Sequence, residues 1–282
     1  MLRFSLPDSP PPPAVGESCL HRQFQRAACE ACLKACPVEA ITLTEHDISL
    51  APEACLRCGN CVFVCPTGAL VNISPAKRAF REQKLIAPFT RLAPELNELL
   101  LWHVQFHIRG VEIELDAYPQ WGVAIAALNV QLRELQEPRW QVFPPGEEEH
   151  SALRRLRGQA DRTCVDVALL PAAFPGYSRF TPRVDSERCL LCAACSRVCS
   201  PDVIAFSSSA MTVNAEGCNG CGACQAVCPV DAIAVMPETR QAERVVYSLA
   251  QTHCTDCARP FLSRSHEQSP CPVCRQHHHG MR

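Results

Sequence analysis

Cysteines recur along this chain at fixed intervals, and those intervals constrain its fold more than any other feature. Three runs carry the full pattern Cys-x2-Cys-x2-Cys-x3-Cys: Cys55, Cys58, Cys61 and Cys65; Cys189, Cys192, Cys195 and Cys199; Cys218, Cys221, Cys224 and Cys228. A fourth run, Cys29, Cys32 and Cys36, lacks only its first cysteine, where Arg26 stands. Shifting the first pair of runs forward superposes Cys29 on Cys192, Cys32 on Cys195, Cys36 on Cys199, Cys55 on Cys218, Cys58 on Cys221, Cys61 on Cys224 and Cys65 on Cys228. The spacing between half-motifs is kept as well, so a whole module is duplicated.

The chain has 282 residues and 21 cysteines. A cysteine content this high belongs either to a secreted disulfide scaffold or to metal sites in a reducing compartment. Residues Met1 to Pro13 hold no apolar signal region and no twin arginine, so a cytoplasmic chain with reduced thiols is expected. No stretch reaches the roughly 18 uncharged apolar residues of a membrane span. The formal charge of −2 gives no support for nucleic-acid binding.

Apolar-rich runs lie between the half-motifs, Ala40 to Thr44 then Ile48 to Leu50, and Val203 to Ser207 then Met211 to Val213. They predict small β-hairpins. The Cys-x3-Cys stretches have helical spacing and predict short helices. Residues 76–180 differ in texture. A strand is expected at Lys84 to Ala87, a helix at Pro94 to Ile108, a strand at Val111 to Leu115, a helix at Gly122 to Leu135 and a strand at Trp140 to Phe143. That order implies a small α/β layer. Pro171 to Pro182 reads as a linker.

The run C-x2-C-x2-C-x3-C-P resembles the bacterial 2[4Fe-4S] ferredoxin family. A cubane cluster needs four soft thiolates about a compact core, and in this family the last cysteine of each run serves the other cluster of the pair. The resemblance implies four [4Fe-4S] clusters: Cys29, Cys32 and Cys65 at cluster I; Cys55, Cys58, Cys61 and Cys36 at cluster II; Cys189, Cys192, Cys195 and Cys228 at cluster III; Cys218, Cys221, Cys224 and Cys199 at cluster IV. Cys19 is the only cysteine upstream of Cys29 and is expected as the fourth ligand of cluster I, with a three-iron cluster or a ligand such as His21 as alternatives. At Cys199-Ser200-Pro201 the family's proline is displaced by one residue, and a different local turn is expected there. Structural zinc or disulfides are the competing reading. Zinc sites use well-separated Cys-x2-Cys pairs rather than four cysteines within eleven residues, and iron–sulfur ligation is preferred.

Such well-separated pairs do occur at the C-terminal end. Cys254-x2-Cys257 and Cys271-x2-Cys274 resemble a four-cysteine zinc ribbon, implying one Zn²⁺, with iron in a rubredoxin-like site as the alternative. Each loaded cluster, and zinc with four thiolates, carries about −2, taking the protein to roughly −12. His253 and His277 to His279 read as solvated. His103 and His107 are four apart without an HExxH context and read as ordinary helix positions. Cys164 reads as a small buried residue in a strand. The acidic block Glu147 to Glu149 and the Arg154, Arg155, Arg157 group read as solvated linker. No glycine loop for phosphate, catalytic triad or dinucleotide fingerprint occurs, so no substrate site of its own is expected.

The expected fold class is α+β. Two ferredoxin-like modules, 14–75 and 181–240, flank a small α/β domain with linker at 76–180. A proline-rich tail occupies 1–13 and a zinc-ribbon-like domain 241–282. Similarity to NapF-like ferredoxin proteins makes a maturation factor the rival reading, and similarity to polyferredoxins implies an electron carrier. Its expected partner is a larger cytoplasmic oxidoreductase, such as a molybdenum enzyme of the formate dehydrogenase type. A maturation or assembly factor for such an enzyme is the alternative.

Overall fold

The computed structural model describes residues 11–44, 47–146, 167–200, 202–265 and 267–275. Cys164, the charge blocks between 147 and 157 and the histidines at 277–279 lie outside that range. The chain divides into two compact units, one of residues 1–23 with 29–170, the other of 24–28 with 171–282.

The first unit opens with β1 (Ala14–Val15), α1 (Leu20–Gln23), α2 (Ala31–Ala35), β2 (Ile41–Leu43), β3 (Ile48–Leu50), α3 (Asn60–Val64) and β4 (Leu70–Val71). The hairpin expected from the apolar runs is β2–β3, with Ile41 opposite Leu50, and β1 pairs antiparallel with β4. Both Cys-x3-Cys stretches form helices, α2 and α3. Their core is made by Val15, Ile41, Ile48, Ala69 and Leu70 together with the cysteines Cys19, Cys32, Cys61 and Cys65. A core this small is built around its sulfur atoms.

The same unit continues with β5 (Ala79–Arg81), β6 (Lys84–Ile86), α4 (Leu96–Gln105), β7 (Gly110–Glu112), α5 (Pro119–Glu134) and β8 (Gln141–Phe143). The expected βαβαβ order is present, and β6, β7 and β8 pair in parallel. Strand β5, which sequence reading did not anticipate, adds an antiparallel edge. Three residues are too few to display an alternating pattern. In α5, Trp121, Ile125, Leu128 and Leu132 recur at helical spacing and are buried, which is why this segment lies as an amphipathic helix. Arg78 and Glu98 form a buried two-pronged ion pair, Nε to Oε1 at 2.7 Å and Nη2 to Oε2 at 3.2 Å, with the guanidinium stacked over Trp121. The carboxamide of Asn97 donates to the Phe63 carbonyl at 2.7 Å and that of Asn60 to Ala93 at 3.4 Å, tying α4 to α3.

His103 is buried and accepts from Trp140 Nε1 at 3.0 Å through Nδ1. Its Nε2 therefore carries the proton and donates to Glu137 at 3.2 Å. His107 lies beyond the end of α4 in a left-handed conformation, so the two histidines do not share a helix face.

In the second unit, β9 (Tyr177–Val184) precedes α6 (Ala194–Val198), β10 (Ile204–Phe206), β11 (Ala210–Asn214), α7 (Ala223–Ala226), β12 (Ile233–Gln241), β13 (Arg244–Ser248), β14 (Ala250–His253) and β15 (Pro260–Ser263). Much of the expected linker is strand instead: β9 pairs antiparallel with β12, with Pro182 opposite Val235. A two-stranded ribbon has only edges, so a proline's missing N–H is tolerated there. The expected hairpin β10–β11 is present, and β13 adds a third strand through five residue pairs from Ala210–Ser248 to Asn214–Arg244. Strands β14 and β15 form a separate hairpin. No helix among the described residues is long and apolar enough to cross a membrane.

Candidate metal centres

Backbone geometry prepares each cysteine loop to surround something. In the full runs, the residue before the second cysteine and the one after it take positive φ: Arg57 and Gly59, Leu191 and Ala193, Gly220 and Gly222. Left-handed residues in such turns can aim successive backbone amides into one concavity. Space is also restricted. A Cβ at Gly59 would lie 2.5 Å from Cα of Pro75, and one at Gly220 would lie 2.6 Å from the Phe180 ring. The incomplete run differs in its backbone, because Glu30, matching Gly59, has φ −120°.

After the last cysteine of all four runs the chain makes the same turn. The residue three positions on, Glu39, Gly68, Asp202 or Asp231, takes positive φ, and its N–H donates to the cysteine carbonyl at 3.0–3.5 Å. Cys199, with its proline displaced, follows this pattern at 3.0 Å. The left-handed residue and its bond to the cysteine carbonyl thus recur where the proline is displaced, while Pro201, on which the expected difference in turn falls, lies outside the described residues. One residue further, the amides of Ala40, Ala69 and Ala232 donate to Sγ of Cys36, Cys65 and Cys228, each at 3.2 Å. These donors stabilise sulfur that carries negative charge. Sequence reading missed them because a backbone amide leaves no mark in residue identity.

Cysteines from the two halves of a module come together. Cys19, Cys29, Cys32 and Cys65 line one pocket, with Val15, Leu20, Ile48 and Leu70 making apolar walls. Cys19 stands at the start of α1, which lets the chain reach back to the site across the residues inserted before Cys29. His21 also lines the pocket, where its Nε2 lies 2.6 Å from the Cys29 carbonyl oxygen. Burial, then the neighbouring thiols of Cys29, Cys65 and Cys19, push the Cys32 thiol up to about 12. Burial with Cys58, Cys32, Cys55 and Cys36 does the same to Cys61.

In the second unit burial and the thiols of Cys221, Cys218, Cys199 and Cys195 raise Cys224 to about 12. Burial raises Cys195 to about 11, opposed by the Ser196 amide and reinforced by Cys189 and Cys192. Burial and crowding keep these thiols protonated when nothing is bound, and the charge of a bound cation would reverse that balance. Soft donors, inward amides and apolar walls together fit [4Fe-4S] clusters. Cys32 neighbours Cys61, and Cys195 neighbours Cys224, so the two groups of each module lie side by side. Cys192 is exposed, whereas the other fifteen cysteines of these groups are buried or half-buried.

A fifth group lies at the C-terminal end. The sulfurs of Cys254, Cys257, Cys271 and Cys274 lie within 4.8 Å of one another. Burial pushes the Cys254 thiol up, but amides of Cys271, Cys257 and Asp256 outweigh it and bring the thiol down to about 6. The Cys271 amide is 3.1 Å from that sulfur, and the Cys274 amide 3.5 Å from Sγ of Cys271. With amide donors on sulfurs of both Cys-x2-Cys pairs, the four thiols form a group that could hold one metal ion. His253 is exposed and is not in the group.

Comparison with known proteins agrees with this geometry. Profiles of the 4Fe-4S dicluster domain match residues 182–235 and, for a second such profile, 26–69 and 217–262. An uncharacterized ferredoxin of Methanocaldococcus jannaschii is 40% identical over 50 residues, which are 17% of this chain and 79% of that protein. The chain belongs to the 4Fe-4S ferredoxins. Hydrogenase-4 component A of Escherichia coli K12 is 30% identical to this ferredoxin over 104 residues, 34% of the chain. The ferredoxin spans 50% of the length of that component. Family and homologues support an iron–sulfur electron-transfer role.

Proposed function

We propose that this ferredoxin passes single electrons through four [4Fe-4S] clusters to or from a larger oxidoreductase. Cluster I is held by Cys19, Cys29, Cys32 and Cys65, and cluster II by Cys36, Cys55, Cys58 and Cys61. Cluster III is held by Cys189, Cys192, Cys195 and Cys228, and cluster IV by Cys199, Cys218, Cys221 and Cys224. A cluster of this kind exchanges one electron at a time between 2+ and 1+ cores. The protein's own part is to exclude water with Val15, Leu20, Ile48 and Phe180, and to spread sulfur charge onto the amides of Ala40, Ala69 and Ala232.

The observation that carries this reading is the convergence of Cys19 with Cys29, Cys32 and Cys65, because it gives the incomplete run its fourth thiol. Similarity to a hydrogenase component supports a multi-subunit redox enzyme as the partner. Zn²⁺ is the proposed occupant of the Cys254, Cys257, Cys271 and Cys274 group, and a substrate site of the chain's own is no part of the proposal.

Anaerobically purified protein should contain about sixteen iron, about sixteen acid-labile sulfide and about one zinc per chain. Reduction should produce the electron paramagnetic resonance of 1+ cubanes. Colourless material without inorganic sulfide would overturn the reading. Cys19→Ala should convert cluster I to a three-iron form, and unchanged iron in that variant would mean that Cys19 is not its ligand.

A further inference from the structure

We propose that the metal held by Cys254, Cys257, Cys271 and Cys274 is a lock on the second ferredoxin module, holding closed the core that carries clusters III and IV. The inference rests on the metal-site reading above and adds what that metal is for.

The internal duplication supplies a control. In the first module the hairpin β2–β3 is a two-stranded sheet. In the second, β10–β11 takes β13 as a third strand, and from β13 the chain runs within six residues to Cys254. The additions reach inward. Leu249 is buried in the same apolar cluster as Cys195 and Cys224, and Tyr247 and Leu262 pack against it. Leu262 lies on β15, in the stretch between Cys257 and Cys271. The Arg264 guanidinium lies over the Tyr247 ring at 5.8 Å, a second tie from the hairpin to β13.

The hairpin has little of its own to keep it there. Strands β14 and β15 share four residue pairs, and an isolated two-stranded hairpin is marginal in water. At its far end the four thiols gather within 4.8 Å, the place where a metal closes the chain from Cys254 to Cys274 into a loop. Binding free energy at such a site is folding free energy. It reaches the second module through Leu249 and Leu262; the core of the first module contains no residue from this segment.

The test uses the full chain, loaded and handled without oxygen. Cys257 is exposed and Cys274 half-buried, so Cys257→Ser with Cys274→Ser removes two ligands while leaving buried Cys254 and Cys271 in place. The variant should lose its zinc. On challenge with an iron chelator it should release the roughly eight iron atoms of clusters III and IV at least about tenfold faster than the unaltered chain. Mass spectrometry after alkylation should find the new reactivity between Cys189 and Cys228, with Cys29 to Cys65 protected as before. Leu262→Ala should keep the zinc and still speed the same release. Zinc loss with unchanged iron release from the second module would overturn the lock. An unaltered chain whose four C-terminal thiols are freely alkylated would instead overturn the metal-site reading itself.

Discussion

Single residues carry much of the loop geometry, and two left-handed glycines from different turns should respond differently to alanine. Gly220 has φ +75°, and an added methyl would strike the Phe180 ring. Gly68 has φ +62° with open space around it. Gly68→Ala should therefore cost only the left-handed backbone penalty, about 1 kcal/mol. Gly220→Ala must also move Phe180 or the Cys218–Cys221 loop, and should lower iron by about four per chain through loss of cluster IV. Iron analysis of the two variants side by side makes the check. His103 offers a pH test. Burial holds its pKa below the ordinary 6.5, helped by Arg109 and His107 and opposed by Glu137. The unfolded chain thus binds a proton that the folded one refuses, and stability from this residue is lost as pH falls below about 6.5. Thermal unfolding should show that loss in the native protein and a smaller one in His103→Gln.

At the scale of elements, the Arg78–Glu98 pair joins the segment before β5 to α4, with both side chains 3% exposed. Glu98→Leu alone leaves a guanidinium buried without its carboxylate and should destabilise the first unit by about 3–5 kcal/mol. Arg78→Met with Glu98→Leu should recover most of that, and denaturant titration of the two variants would measure the difference. Legibility at this scale followed length and repetition. Helix α5 and the hairpins β2–β3 and β10–β11 were readable because Trp121 to Leu132 keep a helical period and Ile41 and Ile204 open apolar runs. Strand β9 was not, because Pro182 and the surrounding prolines imitate a linker, and its partner β12 lies some fifty residues away. Among the metal centres, spacing alone pointed to the cysteines, and the structure adds the amides, left-handed turns and Phe180 that no spacing could reveal.

Across the whole molecule, the duplicated module has been kept in its sulfur positions and altered in what surrounds them. The first copy brings Cys19 in from outside the motif beside Cys29, Cys32 and Cys65, and its α3 is tied to an α/β layer by Asn60 and Asn97. The second gains β13 and the four-cysteine hairpin. Equal cysteine patterns therefore sit in unequal environments, and cluster potentials depend on hydrogen bonding, charge and solvent access. A redox titration should resolve more than one midpoint rather than four coincident ones.

Among the sixteen proposed cluster ligands, solvent reaches Cys192 more freely than the rest. If Cys192 holds an iron as proposed, its cubane has the thinnest insulation, so a visiting redox protein could bring its own centre nearest there. The same opening is a weakness: brief aeration should corrode this cubane before the other three.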